Sequence, residues 1–252
     1  MRIIGNNAKT EKIFALLYGQ SGTGKTDFCG QLGTMGKVLV IDIDQGSVTL
    51  RTSSRVKKCL DNITVVSFDT FGDLNTAYEA IQKNTPENWN KVFGIKPEAV
   101  ERVDAPFDWI VWDSWSEIQW NMMQKLRDDK ELNSKRLDFR KNIEIQHWGM
   151  LTDLNKLSIE ALRTLPINQV FIMLETMTKD EISGATIGGP AIHGKMVQEM
   201  PGYFNIVLRA YVDAGGKYII TSKPKGRYPS KTRLEAGREV VDPTPEDFFT
   251  IK

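Results

Sequence analysis

Gly19-Gln20-Ser21-Gly22-Thr23-Gly24-Lys25-Thr26 meets the pattern GxxxxGK[ST] at every fixed position. Residues 13–18 (IFALLY), just before it, form a short apolar run that reads as a buried strand, and residues 25–32 read as a helix. Strand, glycine-rich loop and helix in that order make a phosphate cradle. The glycines let backbone amides turn inward around phosphate oxygens. The helix presents the positive end of its dipole to the same anion. A chance glycine-rich turn does not explain this context. Gly19, Gln20, Ser21, Gly22, Thr23, Gly24, Lys25 and Thr26 are therefore read as nucleotide-binding residues. Lys25 is expected to reach the β- and γ-phosphates, and the Thr26 hydroxyl to ligate magnesium, so the expected cofactors are ATP and Mg2+.

Outward from this loop the chain alternates strands and helices. Residues 37–43 (KVLVIDI), 63–68 (ITVVSF), 107–112 (FDWIVW) and 168–174 (NQVFIML) read as further buried strands. Residues 72–82 place Leu74, Tyr78 and Ile81 at helical spacing, and the stripe Trp148, Leu151, Leu154, Leu157, Leu162 within 144–165 reads as core packing of another helix. Strands alternating with helices imply an α/β fold, a mostly parallel central sheet flanked by helices. Residues 206–212 and 217–221 flank Asp213-Ala214-Gly215-Gly216, a C-terminal antiparallel hairpin signal. Residues 1–234 are expected to form the core. Within it, 84–105 read as a surface insertion and 176–202 as a long mobile loop, while 235–252 read as a polar C-terminal tail.

Bulk properties limit the alternatives. The 252 residues suit one elaborated domain. Lys plus Arg total 33 against 32 Asp plus Glu, so any nucleic-acid footprint must be local. Cys29 and Cys59 lack CxxC spacing and read as buried, reduced thiols, while His147 and His193 form no ligand cluster. No apolar stretch approaches the roughly 20 residues that span a bilayer, and no signal peptide is visible. The expectation is a cytoplasmic protein with no membrane partner.

A phosphate loop needs an acidic residue at the end of a neighbouring strand for the metal. Asp113 ends Trp109-Ile110-Val111-Trp112 and fits; Asp42 competes. Ser114, not Glu, follows Asp113, so a water-activating base must come from elsewhere, with Asp44, Glu117 and Glu175 as candidates.

The set of motifs resembles the RecA-like ATPases, particularly the core-only version carried by phages and prophages, described as single-strand annealing or recombination ATPases. The resemblance covers about 13–234. It rests on the phosphate loop, VIDID (40–44), IVWDS (110–114) followed by a helix, VFIMLE (170–175), GGPAIHGK (188–195) and KTR (231–233). It implies a RecA-like fold. It places Asp44 where such proteins carry the glutamate that polarises the attacking water, one methylene shorter here. It places Asp113 at the magnesium position. Glu175 falls where RecA has a glutamine that senses the γ-phosphate and signals to a DNA-binding loop, here 176–202 with Lys179 and Lys195. Lys231 and Arg233 fall where cations are offered to the neighbouring subunit's nucleotide. Read by itself, TSKPKGRYPSKTR (221–233) is equally a solvated basic strip or a contact to DNA phosphates.

The function expected is an ATPase that assembles on single-stranded DNA as a homo-oligomer, ring or filament, and supports annealing or recombination, phage-encoded and working in the host cytoplasm. A single-strand-binding protein is a further partner. One rival is a nucleotide-gated scaffold or partner-binding ATPase with little turnover. The other is a small-molecule or nucleotide kinase, against which stands the lack of arginine in 176–202.

Overall fold

A computed structural model describes residues 12–68, 70, 72–92, 105–128, 145–179, 184–233 and 236–249. The elements follow in chain order as β1 (Phe14–Gly19), α1 (Lys25–Gly30), β2 (Val38–Asp42), α2 (Val48–Thr52), β3 (Ile63–Ser67), α3 (Gly72–Lys83), α4 (Pro86–Val92), β4 (Trp109–Asp113), α5 (Trp115–Asp128) and α6 (Ile145–Arg163). They continue as β5 (Asn168–Lys179), β6 (Thr186–Pro190), α7 (Met196–Glu199), β7 (Ile206–Val212), β8 (Tyr218–Thr221), β9 (Lys231–Thr232) and β10 (Glu239–Val241).

The strands form one sheet in the order β10-β8-β7-β1-β5-β4-β2-β3, with β6 added to β5 and β9 to β7. Between neighbours in that order every pairing from β7 to β3 is parallel, while β6 and β9 are antiparallel additions. Pairing turns antiparallel at the C-terminal edge, where β7 meets β8 and β8 meets β10. The fold is thus the expected α/β class with a mostly parallel sheet and C-terminal antiparallel strands.

Parallel strands covered on both faces need apolar side chains in both directions, which is why β1, β2 and β4 are buried at every position. Leu16 and Tyr18 of β1 point into one core with Trp112, Trp115, Phe171 and residues of α3 and α6. Ala15 and Leu17 point into the other, with Phe28 of α1, Val111 and Ile172. Phe204 stacks on Phe14 at 4.8 Å in the first core. Cys29 and Cys59 are free and buried. Among the described residues no helix is long and apolar enough to cross a membrane.

Three expectations about irregular segments need correction. Within 176–202, residues 180–183 lie outside the described residues, and most of the rest is in regular elements. β5 runs on to Lys179 and pairs with β6 from Glu175↔Pro190 to Lys179↔Thr186, and α7 follows. Two of the glycines that suggested a loop serve packing, since a Cβ on Gly188 would lie 2.1 Å from the Tyr228 ring and one on Gly189 2.8 Å from Val197. Residues 84–105 are in part integrated, because α4 buries Trp89 completely and the Asn84 side chain pairs with the backbone of Phe107. Residues 93–104 lie outside the described residues. The segment after 235 is no simple polar tail. β10 extends the sheet, and Phe248 and Phe249 are buried against Phe28 and Trp109.

Candidate nucleotide-binding site

β1 ends at the carboxyl end of the parallel strands, where the chain must leave the strand and start α1 within a few residues. Gly22 and Gly24 accomplish this with φ of 77° and 78°, left-handed values that side chains with a Cβ rarely adopt. Gly19 lies so close to β7 that a Cβ there would be 2.2 Å from the Ala210 carbonyl. The Thr23 hydroxyl donates to the Gln20 carbonyl at 2.8 Å and braces the loop. Lys25 folds back over it, its Nζ donating to the carbonyls of Gly19 (2.9 Å) and Gln20 (2.7 Å). Burial pulls the Lys25 ammonium below its ordinary pKa, against the opposing pull of Asp113 and Asp44.

Thr26, in the first turn of α1, donates its hydroxyl to Asp113 Oδ2 at 2.7 Å. Asp113 and Asp42 are register partners at the ends of β4 and β2. They divide the work. Asp42 accepts the amides of Gly46 (3.0 Å) and Ser47 (3.2 Å), holding the loop after β2, while Asp113 faces Thr26. The Asp113 carboxyl is pushed up to about 6, chiefly by burial and further by Asp44 and Asp42, with the Thr26 bond and Lys25 opposing. A hydroxyl and a carboxylate side by side are hard oxygen donors of the kind Mg2+ takes with phosphate oxygens, so the residues fit the ion the loop implies.

These groups line a cavity of about 700 Å3. Asp44 lines it too, its carboxylate accepting the Gly46 amide at 3.0 Å and raised in pKa by burial. Tyr218, Arg55, Asp242 and Pro243 complete the lining, with the Tyr218 ring 3.5 Å from where a Cβ on Gly24 would lie. Arg55 donates to the carbonyls of Asp242 (3.3 Å) and Pro243 and lies 3.7 Å from Asp27 of α1, closing this wall. None of these four was expected from the sequence. Their only signal was the hairpin that positions Tyr218.

The other candidate residues lie apart. Glu117 on α5 lines a separate groove. Glu175 stands on β5, next to β1, with its side chain buried and both oxygens on Arg209, at 2.7 and 3.3 Å. The Arg209 guanidinium in turn lies 3.3 Å from the centroid of the Tyr228 ring. Lys231 and Arg233 sit at the far end of β7, opposite Val207 and Asn205, away from the phosphate loop of their own chain. Lys179 and Lys195 are exposed, on the β5–β6 hairpin and beside α7.

A glycine-braced loop at a helix start, a buried lysine over it and a threonine–aspartate pair beneath it define a P-loop ATPase. A family model described as an AAA domain matches residues 11–234, and the chain belongs to that family. No curated protein matches the chain. Among solved structures it is similar to the crystal structure of the RadB recombinase, at 14% identity and a TM-score of 0.49, covering 91% of this chain and 86% of that one.

Proposed function

We propose that this ATPase hydrolyses ATP with Mg2+ while assembled on single-stranded DNA, and that it supports annealing or recombination as a phage-encoded protein in the host cytoplasm. In this reading Lys25 holds the β- and γ-phosphates, Thr26 and Asp113 hold the metal, and Asp44 orients the attacking water. When bound, the metal neutralises charge on the phosphate oxygens. The observation that carries the DNA reading is the course of β5. This strand lies beside β1, presents Glu175 at the nucleotide end and continues without a break into the hairpin that carries Lys179. One rigid element thus joins the nucleotide edge of the sheet to an exposed lysine.

The test is ATP turnover with and without a single-stranded oligonucleotide. The expected result is a several-fold stimulation and a binding constant that falls steeply with salt. A rate indifferent to DNA, with no oligonucleotide binding at low salt in the presence of ATP, overturns the DNA part of the proposal.

One observation favours a second reading, a nucleotide-gated scaffold with little turnover. Asp44 is tied to the Gly46 amide and Glu175 to Arg209, so neither carboxylate is free of a partner. A rate near zero both with and without DNA, alongside tight ATP binding, would select it.

A further inference from the structure

The helices α5 and α6 leave an open groove of about 570 Å3 beside the ends of β5 and β6, lined by residues that do not line the nucleotide cavity. Met123, Leu151 and Ile192 are buried along it, and Trp120, Trp148 and His193 supply aromatic rings. Trp120, on α5, is 51% exposed and borders the groove beside the buried Met123. The His193 imidazole stacks on Trp148 with centroids 3.8 Å apart and planes 26° apart. This pair is held in place, because the His193 amide donates to Gln119 Oε1 at 2.7 Å, one residue from Trp120. Burial lowers the His193 pKa, favouring the neutral, stackable ring. Thr176 and Glu117 add polar groups to the lining, and the exposed Lys195 follows His193 by two residues.

Flat rings with a few polar groups beside them, and a lysine two residues along the chain from His193, suit a nucleobase and its phosphate better than an aliphatic side chain. Every base has a π-face, and stacking on aromatic side chains is how single strands are held without sequence preference. The groove is also wired to the nucleotide site. α5 starts two residues after Asp113. The Ser116 hydroxyl accepts the Leu174 amide (3.2 Å) and donates to the Ala191 carbonyl (3.1 Å), joining the groove to the strand that bears Glu175.

We infer that this groove takes an unstacked base of a single strand against Trp120 and the His193–Trp148 pair, with Lys195 meeting the adjoining phosphate. The inference rests on the proposed single-strand reading and names the site that would carry it.

The experiment is anisotropy of a labelled oligothymidylate and of an abasic strand of equal length, titrated with the full-length protein and a non-hydrolysable ATP analogue. Trp120→Ala should weaken oligothymidylate binding roughly tenfold or more, and Trp120→Phe should restore most of it. The abasic strand should bind the wild type and Trp120→Ala equally, since only phosphate contacts remain. His193→Ala should behave like Trp120→Ala, and both variants should keep wild-type affinity for the nucleotide analogue. Wild-type oligothymidylate affinity in both alanine variants overturns the groove while leaving the single-strand reading intact. So does an equal loss on the abasic strand. A wild-type protein that binds neither strand overturns both readings.

Discussion

At the scale of single residues, Asp113 links stability to chemistry through its proton. Its folded pKa, about 6, lies above that of an unfolded aspartate, 3.8. The native state therefore holds the proton more tightly. It loses stability as pH rises through this interval, and the loss is complete above about 6. In the nucleotide-free protein Asp113→Asn removes this penalty. The variant should melt above the wild type at pH 7.5, and the gain should fade to nothing near pH 4, as thermal melts across that range would check. The same substitution takes away the proposed metal ligand, so turnover should fall at least about 100-fold. The Mg2+ concentration that half-saturates turnover should rise as pH drops below about 6, because the cation must then displace the Asp113 proton, and an Mg2+ requirement unchanged down to pH 5 would count against Asp113 in that role. Lys25 and Asp44 separate binding from chemistry. Lys25→Ala removes the ammonium that lies across the loop carbonyls and should abolish nucleotide binding while the domain stays folded. Asp44→Asn should keep ATP affinity and lose hydrolysis. If turnover survives in Asp44→Asn and collapses in Glu175→Gln or Glu117→Gln instead, the water is held by the other carboxylate.

At the scale of elements, the segment from β10 to Phe249 does two things. Phe249 is fully buried and packs on Phe28 and Trp109, and Asp242 and Pro243 hold Arg55 at the wall of the nucleotide cavity. Phe249→Ala should therefore cost about 3–5 kcal/mol in a denaturant titration and weaken ATP binding as well, although residue 249 lies far from the phosphate loop in sequence. An unchanged midpoint would mean that the segment is an appendage after all. The sequence shows this segment poorly because its two phenylalanines sit among charges and prolines with no period to mark a strand. The central strands were legible for the opposite reason: burial on both faces makes each an unbroken apolar run. The loop Gly19 to Thr26 and Asp113 were legible because phosphate and metal chemistry demand particular residues at particular spacings. The β5–β6 hairpin was not. Gly188 reads as flexibility in one dimension and turns out to make room for a ring forty residues on. The partnership of Glu175 with Arg209 was equally hidden, since a pair 34 residues apart meets only once the sheet is assembled.

At the scale of the whole molecule, the direction of the strands decides what Lys231 and Arg233 can serve. The phosphate loop leaves β1 at Gly19, level with Ala210 of β7. Lys231 lies level with Val207, and the Arg233 amide bonds the carbonyl of Asn205, five residues down β7 from Ala210. At about 3.3 Å per residue, roughly 16 Å of strand separates Arg233 from the level of its own loop. Arg233 follows β9 directly, and burial, then Arg233 and Arg163, depress the Lys231 pKa, so cations gather at that end of the sheet. Loop and cations at opposite ends of one subunit suit a head-to-tail contact, the arrangement that builds rings or filaments rather than closed two-fold dimers. If the proposed assembly places them on a neighbour's phosphates, Arg233→Ala should bind ATP nearly normally and hydrolyse it poorly, by a thousandfold or so for a finger that stabilises the transition state. Lys25→Ala has the converse defect, an intact cation pair and a dead loop. Mixing the two inactive variants creates interfaces in which an intact loop meets an intact finger, so turnover should reappear and peak at intermediate ratios. Activity that stays at zero across the titration, with mixed oligomers shown by light scattering of tagged pairs, would assign Lys231 and Arg233 to DNA phosphates or to solvent instead.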